Sequence, residues 1–445
     1  MNRYAHIDAM RAFAVLLVVF SHAGLSFVPG GSGVTIFFVI SGFIITFLLL
    51  REREKTGGFD IGGFYMRRLI KIVPPLLLAL ILPTLIYMSL GGQVNTVDFL
   101  GQIFFFFNWR YLDSVVTVLP GSHVTWSLAI EEQFYLIFAL IWLFAVKSEH
   151  YVRIVVGISG SAIVYSFFSR FFLSLDGVSV DRIYFGTDTR VEAIAVGTLV
   201  AVWFFTYRST DLVQGRQRSG TRFSQGRSAR AGRSVPMLGR NWVILVAVGL
   251  YLVSLVIRDE FFRDTIRYTM QAVAAAMMIL WGQVAQRQAL GNLIMRFLQW
   301  RFLQVLGLAS YSIYLSHDVL YKFIEPTLEF LPLPARVLLM VVLGLLVGIG
   351  IWKFVEIPAL AFKDRYFASA NTKAEQQAHS IAAAANTSSV QGKELRGSAG
   401  KTKAGPSGRR GIKPITASVS SEDFEAGRKR RPNLTDAPRK RSRRH

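Results

Sequence analysis

Long apolar stretches recur along the chain and are separated by short polar or basic connections. Ten of them have roughly 17 to 24 residues, about the length that a helix needs to cross a hydrocarbon core of about 30 Å. They lie near residues 10–28, 34–50, 72–90, 126–146, 151–173, 189–207, 241–257, 266–285, 302–323 and 337–355. The pattern predicts an all-α fold: a polytopic membrane helical bundle with about ten transmembrane helices.

A shorter apolar run at 99–107 is too brief to cross a membrane, and we predict an interfacial or re-entrant segment there. Residues 1–8 lack the basic segment and the small-residue cleavage site of a secretory signal. The first apolar run is therefore expected to be retained as a membrane span.

Lysine and arginine are concentrated in alternate connections between the predicted spans. Six lie in 51–71, two in 147–153, eight in 208–240 and three in 287–301, whereas 29–33 has none, 91–125 has one, and 170–190 and 258–267 have three each. The counts in the last two connections do not indicate a side of the membrane, but in the other connections high and low counts alternate. Because cytoplasmic loops are enriched in these residues, we expect a multi-pass plasma (inner) membrane protein with both termini in the cytoplasm.

The formal net charge is +22, and 18 of these charges lie in two stretches, 208–240 and 370–445. Both stretches are poor in large apolar residues, so we predict that they are disordered. The chain then divides into a transmembrane domain at 1–367, with a basic cytoplasmic loop at 208–240, and a basic cytoplasmic tail at 368–445. Attraction to anionic membrane lipids explains this charge without a nucleic-acid partner, although the RKRRP and RKRSRR runs leave nucleic acid as the alternative.

The chain contains no cysteine, which excludes a disulfide framework, a thiol nucleophile and a Cys-ligated metal. It also lacks a metal-ligand spacing such as HExxH and a Gly-rich phosphate loop. We therefore expect neither a metal nor a permanently bound cofactor.

Ionisable residues inside a membrane span are costly, and each is a candidate for function. The first span holds Arg11 and His22, which are 11 residues apart and so face the same side of a helix, about 16 Å apart. The competing interpretation is that Arg11 reaches the lipid headgroups and His22 satisfies a structural hydrogen bond.

The fourth predicted span carries two adjacent glutamates, Glu131 and Glu132, in the segment WSLAIEEQFY. Counted from the outer surface, they lie at nearly the same depth as His22. Adjacent helical residues point about 100° apart, so only one glutamate can face this histidine. We predict a His–Glu pair, with Glu132 serving a neighbouring helix or a water-filled cavity.

Further ionisable groups lie near the outer side. Asp188, Arg190 and Glu192 begin the sixth span, either as an interfacial charge cluster or as a site, and His317 lies in the outer half of the ninth. His317 is either a second functional histidine or a structural hydrogen-bonding group.

On the inner side, Arg67, Arg68 and Lys71 precede the third span at the level of Arg11. Their number fits the usual excess of cations in cytoplasmic loops, but together they also predict an anion-binding site.

A buried imidazole with a carboxylate suits general-base catalysis, because the carboxylate fixes one ring nitrogen while the other takes a proton from a hydroxyl. The matching reaction is acyl transfer from a thioester whose phosphates bind the cytoplasmic cations. A proton-coupled transporter uses the same residue types within its spans, so composition alone leaves both functions open.

Six segments of the chain occur in a characteristic order: HIDAMRAFAVLLVVFSHAG, GVTIFFVISGFIIT, FYMRRLIKIVPP, WSLAIEEQFYLIFALIW, DTRVEAIAVGTLVA and LGLASYSIYLSHDVL. In this order they resemble the signatures of the acyltransferase-3 family from about Tyr4 to Phe362. The resemblance implies a ten-span membrane O-acyltransferase, most simply an O-acetyltransferase of polysaccharide biosynthesis. The resemblance implies an acyl-CoA donor, for which we expect acetyl-CoA, and as acceptor a sugar hydroxyl of an exopolysaccharide, lipopolysaccharide or related glycan.

The resemblance also implies roles for individual residues. His22 is the expected general base and Glu131 the catalytic carboxylate, while Arg11, Arg67 and Arg68 are expected to hold the CoA donor. Acceptor binding is assigned to Trp126, Arg190, Glu192 and His317.

The chain departs from the family pattern at some positions. Ala9 replaces a usual glycine, which a helix tolerates, and LSHD replaces the commoner LWH beside His317. No hydrolase-like domain follows the core, so we expect a stand-alone transferase. A small molecule or a lipid-linked intermediate is the alternative acceptor, and a proton-coupled transporter is the more distant alternative function.

Overall fold

The computed structural model describes residues 4–113, 115–220, 240–284, 289–363 and 365–366, and within these ranges the chain is helical without a strand. We number the helices in chain order. They are α1 (Ala5–His22), α2 (Gly30–Thr56), α3 (Ile61–Ser89), α4 (Thr96–Ile103), α5 (Phe107–Asp113), α6 (Thr125–Ala145), α7 (Tyr151–Leu175), α8 (Val180–Phe185), α9 (Thr187–Gly220), α10 (Asn241–Val256), α11 (Glu260–Asp264), α12 (Ile266–Val284), α13 (Ala289–Leu298), α14 (Arg301–Ile324) and α15 (Leu333–Lys363). The all-α prediction is confirmed for the described part of the chain.

Seven of the ten predicted spans are helices long and apolar enough to cross a membrane: α1, α2, α3, α6 with its preceding turn, α7, α8 with α9, and α15. The helix α10 is apolar but has only 16 residues. The helices α12 and α14 also form where spans were predicted, but they are more polar, and α14 carries His317 and Asp318. The predicted count of ten and the placement of both termini in the cytoplasm stay predictions.

Local sequence signals explain where several helices begin and end. Gly57 adopts a left-handed conformation, with φ of 71°, and ends α2. The carboxylate of Asp60 then accepts a hydrogen bond from the backbone N–H of Gly63 at 2.9 Å and caps the start of α3. Within α3, two prolines precede a π-helical segment, Leu77–Ile81. Because proline removes a backbone donor and crowds the preceding turn, the hydrogen-bond pattern changes from α-helical to π-helical at this point.

The apolar run at 99–107 forms part of two short helices, α4 and α5, joined by a turn in which Phe105 has a φ of 61°. Neither helix is long enough to cross a membrane. The prediction that this segment does not span is confirmed, while its depth stays a prediction.

The packing centre lies around α1 and α2. The first helix packs against α2 on one side and α14 on the other, and α2 packs against α9 and α12. One apolar cluster fills the space between α1, α2, α9 and α12, and a second lies between α1, α14 and α15. This arrangement holds the two histidine-bearing helices, α1 and α14, in direct contact.

The close approach of α2 and α9 depends on two glycines, one on each helix. A Cβ atom built at Gly42 would overlap the backbone carbonyl of Ile194, and one at Gly197 would overlap the carbonyl of Val39. Small residues at helix interfaces let backbones approach within a membrane bundle.

We expect Gly42→Ala to lower the thermal unfolding temperature of the detergent-solubilised protein. Overpacking of a well-packed site costs about 1–3 kcal/mol, and the obstructing atom is rigid backbone. The matched control is Gly249→Ala in α10, because no heavy atom lies within 4 Å of a Cβ built there. That control should unfold at the wild-type temperature or higher, since alanine favours a helix by about 1 kcal/mol. Equal melting curves for the two variants would contradict the packing described.

The predicted boundary of the basic loop differs from the structure at one end. The helix α9 continues past the predicted span end at Tyr207 as far as Gly220. The remainder of that loop at 221–239 and the basic tail at 368–445 lie outside the described residues, so their predicted disorder stays a prediction.

Candidate functional site

An elongated cavity of about 430 Å³ lies between α1, α2, α3, α6 and α14. Val34 near the start of α2 and Glu52 near its end both line it. These residues are 18 positions apart, so the cavity follows the helix for about 27 Å. Its shape suits a long, narrow ligand.

Five cationic side chains line the cavity. They are Arg11 of α1, Arg67, Arg68 and Lys71 of α3, and Lys363 of α15. Arg67 donates to the carboxylate of Glu52 at 3.2 Å. Within the described ranges, neither Arg11 nor Lys71 forms an ion pair, so this cluster retains positive charge for an incoming anion.

Arg68 is held firmly in the wall of the cavity. Its Nη1 donates to Oε1 of Glu132 at 3.1 Å, and its guanidinium lies 3.3 Å from the ring centroid of Tyr135. A stacked guanidinium with a carboxylate partner loses much of its freedom. The sequence predicted that Glu132 serves either a neighbouring helix or a water-filled cavity. In the structure its partner is Arg68, on the neighbouring helix α3.

Glu131 also lines the cavity, but it does not pair with His22. Its Oε2 accepts hydrogen bonds from the hydroxyls of Ser41, at 2.9 Å, and Tyr135, at 3.1 Å. The carboxylate is therefore oriented by α2 and by its own helix, one turn further on.

His22 lies on a different wall of the bundle, against α14. Its Nδ1 is 3.0 Å from Nε2 of His317 and 3.7 Å from Oδ1 of Asp318. The two imidazole rings are nearly parallel and meet edge to edge, with centroids 5.1 Å apart and planes 13° apart. On its other side, Nδ1 of His317 lies 3.0 Å from the backbone carbonyl of Ile313. The carboxylate nearest to His22 is therefore Asp318.

The predicted His22–Glu131 pair is thus wrong, for a geometric reason. The sequence placed His22 inside a span at 10–28, whereas α1 begins at Ala5 and ends at His22. The histidine therefore lies at the helix end, where α14 presents His317 and Asp318. Depth along the membrane normal also carries no information about which helix a face contacts, and α1 packs mainly on α14 and α2.

The two parts of the site meet at Tyr314. This residue lines the cavity. Its hydroxyl lies 2.7 Å from Oγ of Ser127 and donates a hydrogen bond to the carbonyl of Val124 at 3.0 Å. Its ring centroid is 5.9 Å from that of His317. His22 therefore lies just beyond the end of the cavity, past Tyr314 and His317, and its side chain is 37% exposed.

The residues assigned to acceptor binding, other than His317, are buried away from the cavity. Arg190 is 2% exposed, donates to the hydroxyl of Thr35 at 3.2 Å and has its guanidinium 4.1 Å from the ring centroid of Tyr268. Trp126 is 6% exposed and packs against Tyr184. Neither side chain meets His22 or the cavity in this conformation.

Glu192 forms a fully buried ion pair with Arg170 of α7. The same guanidinium donates to the carbonyl of Thr189 at 2.6 Å and to that of Thr265 at 3.3 Å. These contacts tie α7, α9 and the start of α12 together. Asp188, also noted in the sequence, instead pairs with Arg182 at 2.7 Å near the surface.

Sequence reasoning missed several residues of the site. Asp318 follows His317 directly in the quoted LSHD segment, and an acidic residue within a predicted span was a usable signal. Ser41 and Tyr135 had no signal of their own, because hydroxyl residues are common in membrane helices and only the fold brings them to Glu131. His123 was also overlooked, and its electrostatic neighbours include Asp318 and Lys322.

The described residues contain no group of three or more His, Cys, Asp or Glu side chains placed to hold a metal ion. The site offers a long cavity lined by cations that can bind an anion, and an imidazole beyond the cavity.

Comparison with known proteins gives a family match over most of the chain. A family model described as an acyltransferase domain, that of the acyltransferase-3 family, matches residues 4–353. The protein named "O-acetyltransferase OatA" of Staphylococcus aureus is 35% identical over 216 residues, which cover 44% of this chain and 34% of that protein. The "Putative peptidoglycan O-acetyltransferase YrhL" of Bacillus subtilis is 28% identical over 372 residues, or 79% of this chain and 54% of that protein. The aligned region thus spans about a third to a half of these relatives' length, and no solved structure is significantly similar.

Proposed function

The chain belongs to the acyltransferase-3 family, and from that membership we propose that it is a membrane O-acetyltransferase acting on a glycan. The donor is acetyl-CoA and the acceptor a sugar hydroxyl. The observation that carries the proposal is the cation-lined cavity that leads toward His22.

The cavity is suited to a CoA thioester. Phosphate groups favour arginine and lysine partners, and Arg11 and Lys71 line the cavity without an ion pair among the described residues. The pantetheine arm then follows α2 along the cavity, and the thioester points toward Tyr314. Because cytoplasmic CoA must reach these cations, the end of the cavity beside Glu52 and Arg67 faces the cytoplasm in this proposal.

His22 acts as the general base in this mechanism. An acceptor hydroxyl approaches the exposed side of His22, gives its proton to the imidazole and attacks the thioester carbonyl through oxygen. The tetrahedral intermediate collapses, the C–S bond breaks, and the leaving thiolate of CoA takes the proton from the imidazolium of His22, which restores the base. The products are an acetyl ester on the sugar and free CoA. Tyr314 must move for the thioester to pass, since it stands between the cavity and the histidines.

Glu131 has a different role from the one expected. Its Oε2 is held by Ser41 and Tyr135, and its charged neighbours include Arg68 and Arg11. We assign it to the donor side, where it balances the charge of Arg11 and Arg68 and shapes the cavity around the pantetheine arm.

The acceptor is proposed as a class only. The name of the Bacillus relative mentions peptidoglycan, and exopolysaccharide or lipopolysaccharide offers the same hydroxyl chemistry. A small molecule or a lipid-linked sugar would use the same site.

The direct test uses membranes that contain the protein, radiolabelled acetyl-CoA and glycan fragments. We expect label in the glycan as an ester that mild base removes. Label that stays in acetyl-CoA while the protein is folded and inserted would overturn the proposal and favour a transporter.

We expect Arg11→Gln to raise KM for acetyl-CoA by about tenfold while kcat changes little. The arginine would contribute a charge-assisted hydrogen bond to a phosphate, and about 1.5 kcal/mol corresponds to roughly tenfold in affinity. The matched control is Arg263→Gln on the exposed helix α11, which lies outside the cavity. A KM equal to that of the control would remove Arg11 from the donor site.

A further inference from the structure

Two side chains of α14, His317 and Asp318, meet His22 at its Nδ1 atom. We propose that they are positioning residues, which hold His22 in the tautomer whose Nε2 is free to accept a proton. The inference rests on the proposed function, in which His22 is the base, and replaces Glu131 as the group that orients this histidine.

The first step concerns the tautomer of His317. Its Nδ1 lies 3.0 Å from the carbonyl oxygen of Ile313, and a carbonyl can only accept. Nδ1 of His317 therefore carries a hydrogen. The residue is completely buried and has no ion-pair partner within the described ranges, so the neutral imidazole is the favoured form. A neutral imidazole has one N–H, which leaves Nε2 of His317 as an acceptor.

The second step carries this assignment to His22. Nε2 of His317 lies 3.0 Å from Nδ1 of His22. Because Nε2 of His317 accepts, Nδ1 of His22 must donate and therefore carries a hydrogen. Its Nε2 then bears the free lone pair. The backbone carbonyl of Ile313 thus sets the tautomer of His22 through two successive hydrogen bonds, with His317 between them.

Asp318 places a negative charge near Nδ1 of His22, which the neutral His317 does not provide. Its Oδ1 is 3.7 Å from Nδ1 of His22, too far for a good hydrogen bond but close enough for attraction. When Nε2 of His22 takes the proton of the acceptor hydroxyl, the ring becomes an imidazolium with both nitrogens protonated. Nδ1–H remains on His317, and the positive charge is stabilised by Asp318. Lys322 is a further charged neighbour of His22, and the electrostatic neighbours of Asp318 also include His123 and Glu325.

Two substitutions of His317 separate orientation from packing. In His317→Gln, the side-chain oxygen can occupy the place of Nε2 and still accept from His22. In His317→Asn, the shorter amide can replace Nδ1 and donate to Ile313, but nothing accepts from His22. Both remove the ring, so both lose similar packing.

We expect His317→Asn to lower kcat by about 10- to 100-fold with KM for acetyl-CoA nearly unchanged, the loss typical of removing the partner that orients a functional histidine. His317→Gln should retain several-fold more activity than His317→Asn. Asp318→Asn should lower kcat without changing the tautomer. Equal kcat for the two His317 variants at equal folded fraction would overturn the positioning role.

A spectroscopic measurement on the full chain separates this inference from the proposed function. In detergent-solubilised protein with ¹⁵N-labelled histidine, the resonances of His22, assigned by their loss in His22→Gln, should show hydrogen on Nδ1. They should change toward a mixture of tautomers in His317→Asn. Hydrogen on Nε2 of His22 in the wild type would refute the inference even if acetyl transfer is observed. Hydrogen on Nδ1 without acetyl transfer would uphold the geometry and refute the proposed function.

Discussion

Replacing His22 by glutamine is expected to lower kcat for acetyl transfer by about 10²- to 10⁴-fold, the usual contribution of a positioned general base. Glutamine retains a polar side chain of similar reach but cannot take a proton at neutral pH. His22 is the last residue of α1 and its side chain is 37% exposed. The folded fraction and KM for acetyl-CoA should therefore change little.

The control for this prediction is His150→Gln, which changes an exposed histidine in the connection between α6 and α7, away from the cavity. Both variants are compared with the wild type by initial rates in membranes, after normalisation to inserted protein. If His22→Gln retains the activity of the His150→Gln control, His22 is not the base.

The second large effect is on stability. We expect Glu192→Ala to destabilise the protein by about 3–5 kcal/mol, the usual cost of leaving one charge of a buried ion pair without its partner. Arg170 is fully buried and the pair lies where α7, α9 and the start of α12 meet. The expected result is a lower thermal unfolding temperature in detergent and less inserted protein, with an unchanged KM for acceptor in the protein that does fold.

Asp188→Ala provides the comparison, because it removes a carboxylate four residues earlier on the same helix. Its partner Arg182 is 27% exposed, so the loss should stay near about 1 kcal/mol, as for other exposed ion pairs. A stable Glu192→Ala protein with a raised KM for the acceptor would instead return Glu192 to the acceptor-binding role implied by family resemblance.

The hydrophobic pattern was sufficient for the helical class and for seven of the spans, because chain length and apolar content alone decide whether a helix can cross a bilayer. The hydrophobic pattern also predicted a span at α14, but that helix is not apolar enough to be among the seven. This helix carries His317, Asp318 and several serines, so the residues that build the site also lower its hydropathy.

Unusual residues in spans were a good guide to important positions but a poor guide to their partners. Arg11, Arg67 and Arg68 do line one cavity, as their common level in the membrane suggested. His22 and Glu131 were placed at one depth and yet face different helices. Depth is a one-dimensional measure, whereas a pair also requires the two faces to meet.

The buried charges show a second limit of sequence reasoning. Glu192 was assigned to the acceptor, but its partner Arg170 lies 22 positions earlier, on another helix. An ion pair that neutralises a helix junction and a charge that binds a ligand look the same in a sequence. Only the contacts of the folded chain distinguish them.

The proposed function has the acetyl-CoA donor enter the cavity from the cytoplasm and the acceptor reach the exposed side of His22 from the opposite side of the membrane. It is tested most directly in sealed, inside-out membrane vesicles, with impermeant radiolabelled acetyl-CoA outside and glycan fragments trapped in the lumen. Wild-type protein should place base-labile acetate on the lumenal glycan, and His22→Gln should give background levels. Acetylation only when donor and glycan share one side, or acetylation that persists in His22→Gln, would contradict it.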